Sequence, residues 1–439
     1  MSSLAQICIH SGIKVSGSDI NSNFLTEKMK SLGAKIYNYH SEGNIKNVDC
    51  LVYSSAIQIN KNLEIQEAQK QNLPCFMRGE FLSKLFNEKR GIAITGTHGK
   101  TTTTAIVATL LYELDTSPTV MSGGVLKNFD SNALWGHGNF FVSEADESDG
   151  SFHYFKPNYA CLTNIEDDHM DFYESSKNLD RAYSKFLSHV EDEGVIICGD
   201  DERITHLLSR NSLKQSVKTV GFENSSSYKI LNTKVGKGFS QFEIEAEGSR
   251  HSFTLNMMGD HNITNAALAI ALCKEIGFSF IDISKALLKF IGVSRRLDLV
   301  YQNKSQLIYD DYAHHPTEIK KTINCLKMSY PGSYLKILFQ PHRYTRVKQC
   351  WEELRNSFDL ADEVYLLPIY SAGENPQIGI DSKSLKNDLS HLKKVHLIQE
   401  DEIDKFFEYN GNQLEIMVCL GAGSVSQLLR DYVKKRFDE

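Results

Sequence analysis

The sequence lacks the patterns that place a protein in a membrane, outside the cell or on nucleic acid. Among its 439 residues no apolar run approaches the length of a membrane span, and the N-terminus carries no signal-peptide pattern. No long Lys/Arg block accompanies the formal charge of −7. Nine cysteines are scattered without a CxxC pair, which argues against a disulfide framework or a zinc site. We expect a cytoplasmic protein that binds neither nucleic acid nor membrane and needs no obligatory protein partner.

What the sequence does contain is an α/β pattern. The hydrophobic content of 41% and the charged content of 23% are typical of a globular protein, and 439 residues suffice for about three domains. Short β-branched and apolar runs alternate with helical patterns, which predicts parallel sheets covered by helices. The predicted domains are residues 1–89, 90–293 and 294–439. The first opens with a helix, Met1–His10, where an α/β unit normally opens with a strand.

The pattern also predicts individual elements. Central strands are expected at Ile92–Thr95, Phe140–Glu144, Tyr159–Leu162 and Gly194–Cys198. The period changes to two between about residues 218 and 258, which predicts a small antiparallel insertion, and helices follow at Asn262–Ile276 and Ile281–Phe290. Strands of the last domain are expected at Leu307–Tyr309, Leu335–Phe339, Val364–Leu367, Val395–Ile398 and Ile416–Leu420.

A glycine-rich loop follows the first central strand. Its residues are Gly96, Thr97, His98, Gly99, Lys100, Thr101 and Thr102. Such a strand–loop–helix turn points backbone N–H groups at a nucleoside triphosphate, with Lys100 reaching the terminal phosphates and the Thr101 hydroxyl lying where Mg²⁺ binds. The loop is a short variant, because Ile94 stands where the usual spacing has glycine. A glycine turn without a ligand is the alternative.

Two acidic clusters follow neighbouring strands. The first, Ser143–Asp149, offers Glu144 as a ligand of Mg²⁺ at the end of an apolar strand. The second, Asn164–Asp171, contains His169, which could bind a second metal ion or orient another group. The alternatives are a solvated acidic loop and an ordinary surface histidine.

Three more groups of polar residues lie at predicted helix starts. Asn262 and Asn265 share one helix face and could bond to an adenine edge, although capping of the helix is the simpler function. Asp310–Glu318 places acids and histidines at the carboxyl edge of a sheet, where α/β sites form. In Phe339–Arg346, paired arginines suit a carboxylate or phosphate, with a surface salt-bridge face as the alternative.

In combination, these motifs resemble those of the Mur ligases over essentially the whole chain. They are Gly96-Thr-His-Gly-Lys-Thr-Thr, Glu144-Ala-Asp-Glu-Ser-Asp, Asp168-His169, His261-Asn262, Ser294-Arg-Arg296, Asp310-Asp-Tyr-Ala-His-His-Pro-Thr and Gln340-Pro-His-Arg-Tyr-Thr-Arg. The resemblance implies an N-terminal Rossmann-like domain for a UDP-sugar, a central P-loop ATPase and a C-terminal Rossmann-like domain for an amino acid. It implies a ligase that uses ATP and Mg²⁺ to join L-alanine to the carboxylate of UDP-N-acetylmuramate through an acyl phosphate, the first amino-acid addition in peptidoglycan precursor synthesis.

The resemblance also assigns roles to residues. The catalytic set is Lys100, His169, His314 and Arg343, and the metal set is Thr101, Glu144 and His169. ATP would contact the glycine loop together with Asn262, Asn265, Arg296 and Asp311, the last two from across a domain boundary. Alanine and the intermediate would meet His314, Arg343 and Arg346. The UDP moiety would meet Ser18, Asp19, His40 and Ser54.

The front end departs from the family pattern. Mur ligases open with a strand and a GxGGxGM loop, and Met1-Ser-Ser-Leu-Ala5 resembles the residues from the final Met of that loop onward. This implies either that the start codon is assigned too late or that the chain is truncated, with an incomplete sugar-nucleotide site. The protein as written is expected to bind UDP-N-acetylmuramate weakly and to have an unstable first domain. Two alternatives stay open: a recycling ligase that attaches an intact tripeptide, and a non-catalytic P-loop binding protein. The paired arginines and Ser148 favour the alanine-adding enzyme over the first, and the clusters in the other domains argue against the second.

Overall fold

A computed structural model describes residues 1–20, 24–54, 57–409, 411 and 413–437. The chain divides into two compact units, and three segments contribute to each of them. The first unit comprises Met1–Leu231, Glu243–Phe253 and Thr264–Phe290, and the second comprises Asn232–Phe242, Thr254–Ile263 and Ile291–Glu439. The predicted boundary at residues 89 and 90 falls inside the first unit and stays a prediction. Among the described residues, no helix is long and apolar enough to span a membrane.

Most strands and helices of residues 1–290 belong to the first unit, and some cross into the second. The strands are β1 (Ser16–Ser18), β2 (Lys35–Tyr37), β3 (Leu51–Tyr53), β4 (Cys75–Met77), β5 (Arg90–Thr95), β6 (Thr119–Leu126), β7 (Ser131–Leu134), β8 (Phe140–Glu144), β9 (Tyr159–Leu162), β10 (Val195–Gly199), β11 (Ser216–Gly221), β12 (Tyr228–Val235), β13 (Ser240–Ala246) and β14 (Ser249–Leu255). The helices are α1 (Ser2–His10), α2 (Phe24–Ser31), α3 (Leu63–Lys70), α4 (Arg78–Phe86), α5 (Lys100–Glu113), α6 (Met170–Tyr173), α7 (Ser176–Leu187), α8 (Glu202–Ser209), α9 (Asp260–Ile276) and α10 (Phe280–Leu287).

A ten-stranded sheet places the loops of interest side by side. Its order is β14-β13-β12-β11-β10-β9-β5-β8-β6-β7, and β5 pairs in parallel with both β8 and β9. Every residue of β5 after Arg90 is buried, as expected of a strand covered on both faces. Ile94 is level with Glu144 of β8, and Thr95 is level with Leu162 of β9. The loops after these three strands therefore leave the same edge of the sheet.

Several predicted strands coincide with observed ones, whereas others escaped prediction. Phe140–Glu144 and Tyr159–Leu162 have the predicted bounds. The strand β6 was not predicted, because Gly123 and Gly124 interrupt its apolar pattern. In the predicted insertion, Glu247 and Gly248 both have positive φ, 54° and 74°, which is the tight hairpin turn that joins antiparallel strands. These strands extend one edge of the main sheet.

The apolar core of the first unit unites α1 and α4 with the sheet. Phe86 of α4 is fully buried, and its ring centroid lies 5.5 Å from that of Phe141 and 4.8 Å from that of Phe155. The strand beneath this ring carries Gly91, where an added Cβ would lie 2.2 Å from a Phe86 ring carbon. Helix α4 thus packs directly on β5, the strand that leads into the glycine loop.

The second unit contains a six-stranded sheet. Its strands are β15 (Asp298–Gln302), β16 (Gln306–Asp311), β17 (Tyr334–Phe339), β18 (Glu363–Leu366), β19 (Val395–Leu397) and β20 (Glu415–Leu420), in the order β15-β16-β20-β17-β18-β19. Its helices are α11 (Pro316–Ser329), α12 (Tyr344–Gln349), α13 (Trp351–Arg355), α14 (Ser382–Asp388), α15 (Asp404–Phe407) and α16 (Val425–Phe437). Only β15 runs antiparallel, so the ends of β16, β20 and β17 meet at one edge. The structure thus confirms the predicted α/β fold class.

Candidate active site

The glycine loop joins β5 to α5 as the sequence predicts. Gly96 and Gly99 have φ values of 126° and 88°, which favour glycine. A Cβ at Gly96 would lie 2.2 Å from the Thr163 hydroxyl, and a Cβ at Gly99 would lie 2.4 Å from the amide oxygen of Asn265. Glycine is therefore required at both positions for space as well as for conformation.

The segment after β9 holds the loop in shape. The His98 carbonyl accepts hydrogen bonds from the Thr163 hydroxyl at 2.6 Å and from the Asn164 amide at 2.9 Å, and the His98 N–H donates to Asn164 Oδ1 at 2.9 Å. The Thr97 hydroxyl accepts from the Glu166 N–H at 2.8 Å. No sequence motif indicates this support, because Thr163 lies outside the motifs and Asn164 stands only at the start of the second acidic cluster.

Lys100 lies at the start of α5, and its ammonium is surrounded by acceptors. Nζ donates to the carbonyls of Gly96 at 2.5 Å and Thr97 at 3.3 Å, and it lies 2.7 and 2.9 Å from the two carboxylate oxygens of Glu147. Burial alone would lower the pKa of Lys100, but the neighbouring carboxylates, Glu147 foremost, raise it above its usual value. Lys100 therefore stays charged and faces the loop, as a phosphate-binding lysine must.

The predicted metal ligands Thr101 and Glu144 lie together. The Thr101 hydroxyl donates to Glu144 Oε2 at 3.1 Å, while Glu144 Oε1 accepts from the Ser122 hydroxyl at 3.1 Å and the Gly123 N–H at 2.6 Å. A hydroxyl and a carboxylate are hard oxygen donors, which suit Mg²⁺. The contacts of Ser122 and Gly123 come from β6 and were not foreseen.

The remaining loop residues lie on the same sheet edge. Thr102 is buried in the first turn of α5, and the His98 ring nitrogen Nε2 lies 3.3 Å from Glu166 Oε2. His169 follows β9 with a left-handed backbone (φ 57°), and its Nε2 lies 3.6 Å from Asp168 Oδ2. His169 therefore lies at the same edge of the sheet as Glu144. Its role as a metal ligand stays a prediction.

The two predicted adenine contacts are placed differently. Asn265 is buried, and its amide lies against Gly99. Asn262 is also buried, and its side-chain amide donates to the Met258 carbonyl at 2.7 Å. The helix α9 begins at Asp260, so that Asn262 lies inside its first turn and is not its N-cap.

In the second unit, Asp311 at the end of β16 is a buried anchor. Its carboxylate accepts from the N–H groups of Ala313 at 2.8 Å and Leu297 at 3.1 Å, and burial raises its pKa to about 6. Arg296 lies 5.1 Å from the centre of the Tyr312 ring, and its Nη1 is 3.6 Å from a Glu318 oxygen. Arg296 and Asp311 thus belong to one loop cluster.

A histidine–arginine cluster follows β16 and β17. The rings of His314 and His342 lie 5.8 Å apart, and Arg346 Nη1 is 3.5 Å from His342 Nδ1. Burial lowers the pKa of His314 to about 3 and that of His342 to about 4, so both are neutral near pH 7. The structure therefore brings His314 and Arg346 close to each other through His342.

Arg343 is fixed by a partner, Glu374, that no motif in the sequence indicates. Its Nε donates to Glu374 Oε1 at 2.6 Å, and the same carboxylate accepts from the Thr345 hydroxyl at 2.7 Å. Arg343 has a φ of 66°, an uncommon value for a residue with a side chain. Such conformations cluster at functional sites.

In the first unit, two of the four predicted UDP contacts meet. The Ser18 hydroxyl lies 2.9 Å from His40 Nδ1 and donates to Glu64 Oε2 at 2.7 Å. The N–H of Asp19 donates to the Tyr37 carbonyl at 3.0 Å. Ser54 follows β3, which pairs with β4 in a different two-stranded sheet from that of Ser18. Glu64 is buried and was not foreseen.

The fold and these contacts define a nucleotide-binding α/β protein of the P-loop class. Comparison with known families is specific: the sequence matches the Mur ligase family catalytic domain over residues 1–90, the Mur ligase middle domain over residues 94–273 and the Mur ligase glutamate ligase domain over residues 295–423. The chain belongs to the Mur ligase family.

Individual relatives match this chain over nearly its full length. The UDP-N-acetylmuramate–L-alanine ligase of Aquifex aeolicus is 38% identical over 437 residues, which is 99% of this chain and 95% of that protein. The crystal structure of the UDP-N-acetylmuramate–alanine ligase of Thermotoga maritima matches with a TM-score of 0.84 and 28% identity, covering 99% of this chain and 96% of that one. MurF ligase of Thermotoga maritima, solved in complex with ADP, shares the fold at a TM-score of 0.66 and 17% identity, covering 90% and 96%.

Proposed function

We propose that the protein is an ATP-dependent ligase that joins L-alanine to the carboxylate of UDP-N-acetylmuramate, the first amino-acid addition in peptidoglycan precursor synthesis. The observation that carries this function is the full-length match to relatives of that name, at 38% identity for the one from Aquifex aeolicus. The contact of Thr101 with Glu144 beside Lys100 supports ATP-dependent chemistry at the glycine loop.

In the first half-reaction, a carboxylate oxygen of the sugar nucleotide bonds to the γ-phosphorus of ATP and ADP leaves, which gives an acyl phosphate. Lys100 and the loop N–H groups neutralise charge on the transferred phosphoryl group. Thr101 and Glu144 would hold Mg²⁺, with His169 at a second metal position. When bound, Mg²⁺ supplies positive charge to the phosphate oxygens.

In the second half-reaction, the alanine amine attacks the acyl carbon, inorganic phosphate leaves and the amine loses a proton. We assign recognition of the alanine carboxylate to Arg343 and Arg346, since guanidinium groups bind carboxylates through paired hydrogen bonds. We assign His314 to the same alanine site. Its imidazole is neutral there, because burial holds its pKa at about 3. Ser18, Asp19, His40 and Ser54 are assigned to the UDP moiety.

We place the protein in the cytoplasm. None of the nine cysteines, all of them among the described residues, forms a disulfide, as in proteins of reducing compartments. We also propose that the chain has three domains, at residues 1–89, 90–293 and 294–439. The three matched family segments follow one another in the same order.

The function is tested by an assay of the purified protein with ATP, Mg²⁺ and UDP-N-acetylmuramate. Separate reactions receive L-alanine, glycine, L-serine or the tripeptide, and both phosphate release and the ligated product are measured. Release and product that depend on L-alanine support the proposal. Dependence on the tripeptide would instead identify the recycling ligase, and ATP binding without any product would identify a binding protein.

A further inference from the structure

Glu147 is a buried carboxylate that the reaction outlined above does not use. Its residue is only 2% exposed, and both of its oxygens face the Lys100 ammonium, at 2.7 and 2.9 Å. Its main-chain carbonyl accepts hydrogen bonds from the Tyr173 hydroxyl and from the Gly150 N–H. These bonds restrain the backbone of Glu147, and the two contacts with Lys100 set the direction of its side chain.

The contacts of Lys100 account for all three ammonium protons. Four acceptors lie within hydrogen-bond distance of the ammonium: the two Glu147 oxygens and the carbonyls of Gly96 and Thr97. Because an ammonium is a point charge on a flexible stem, it takes its direction from its partners. A carboxylate beside it also opposes any phosphate that approaches the same charge, and burial strengthens that repulsion.

We propose that Glu147 is a positioning residue for the phosphate-binding lysine. It fixes the Lys100 ammonium over the glycine loop in the orientation needed for phosphoryl transfer, and its negative charge keeps the affinity for the nucleotide low. The proposal rests on the proposed function, since it takes Lys100 to bind the phosphates of ATP. Ground-state binding and turnover are therefore expected to respond in opposite directions when the charge is removed.

The test compares the full-length protein with Glu147→Gln, Glu147→Asp and the control Asp149→Asn. Asp149 lies in the same acidic loop, and its carboxylate accepts from the Ser151 N–H, a bond that asparagine can keep. Binding of ATP with Mg²⁺ is measured by calorimetry without the sugar nucleotide, and kcat is measured with all substrates. Both are measured at pH 8, where the Glu147 carboxyl is mostly ionised although burial raises its pKa to about 7. Thermal unfolding of each variant checks the fold.

For Glu147→Gln we expect ATP to bind roughly tenfold more tightly, because one like charge has gone, while kcat falls at least tenfold because the ammonium loses its two-oxygen partner. For Glu147→Asp, which keeps the charge on a shorter side chain, we expect unchanged ATP affinity with a lower kcat. Asp149→Asn is expected to match the unaltered protein. A merely structural role would weaken binding and turnover together.

Unchanged affinity and kcat in Glu147→Gln overturn the proposal, and so does a parallel loss of both. If Glu147→Gln does not fold, Glu147→Asp decides: a kcat equal to that of the unaltered protein overturns the proposal. Absence of ATP binding and turnover in the unaltered protein would instead overturn the proposed function.

Discussion

The Thr101 hydroxyl donates a hydrogen bond to the Glu144 carboxylate at 3.1 Å, although 43 positions separate the two residues in the chain. The contact exists because β5 and β8 are adjacent parallel strands: Glu144 is the last residue of β8, and Thr101 follows the carboxyl end of β5. The neighbouring Lys100 likewise contacts Glu147, which lies in the loop that follows β8.

Glu144→Gln is expected to lower turnover at least a hundredfold and to raise the Mg²⁺ concentration needed for half-maximal rate, because a charged metal ligand becomes neutral. Turnover is measured across a Mg²⁺ titration. The exposed Glu193→Gln serves as the control and should leave both quantities unchanged. An unaltered Mg²⁺ dependence in Glu144→Gln would show that another residue binds the metal.

Lys100→Met is expected to reduce the rate of ligation by a factor of roughly a thousand, because the charge on the transferred phosphoryl group loses its buried partner. Product formation is measured at saturating ATP. The matched control is Lys214→Met, at a lysine whose side chain is 75% exposed and paired only at the surface. A Lys100 variant as active as this control would contradict the assignment of the glycine loop.

Phe86→Ala is expected to destabilise the first unit by about 3–5 kcal/mol, since it empties a fully buried ring site between α4 and the sheet. Urea unfolding followed by fluorescence measures the change. Phe222→Ala, at a side chain that is 49% exposed, should change stability by less than about 0.5 kcal/mol. Equal effects of the two substitutions would mean that Phe86 is not part of the core.

His314 should make the protein less stable in mild acid. Its pKa is about 3 when folded, against a usual value of 6.5, so that below pH 6.5 the unfolded chain binds a proton that the folded one does not. Stability therefore falls as the pH drops from 6.5 towards 3, by about 1.4 kcal/mol per pH unit from this group. Its side chain is only 14% exposed, so that solvent screens it little.

The variant His314→Gln isolates this effect. Burial raises the pKa of Glu147 to about 7 and that of Asp311 to about 6. These two carboxyl groups make the folded state more stable as the pH falls, and they do so equally in the unaltered protein and in the variant. Between pH 6.5 and 5.0 the unaltered protein should therefore lose about 2 kcal/mol more than the variant. Urea midpoints at the two pH values measure the difference. Identical losses would show that His314 is protonated in the folded state.

Ser18→Ala is expected to raise the KM for UDP-N-acetylmuramate about tenfold and to leave the KM for ATP unchanged, because it removes the hydroxyl between His40 and Glu64. Steady-state kinetics with each substrate varied in turn measure both constants. The exposed Ser31→Ala is the control. A rise in the KM for ATP as well would point to a general loss of structure.

The pattern of apolar residues was enough to predict the strands around the site. The runs at Phe140–Glu144 and Tyr159–Leu162 are buried along their whole length, or nearly so, and such runs have clear ends. The strand β4 was not predicted; it is short, and all three of its residues are only partly buried. The edge strand β15 was missed because its residues are only partly buried and carry a weak pattern.

The sequence by itself determined the glycine loop between β5 and α5, since Gly96, Gly99, Lys100 and Thr101 are neighbours in the chain and their geometry is local. It also determined the α/β class, because apolar periodicity reports which faces are buried. Only the tertiary structure decided the partners: Glu147 for Lys100, Glu374 for Arg343 and Glu64 for Ser18. Each of these pairs joins residues more than thirty positions apart, with separations of 47, 31 and 46. A single sequence contains no signal for such distances, because strand order and loop packing decide which carboxylate meets which cation.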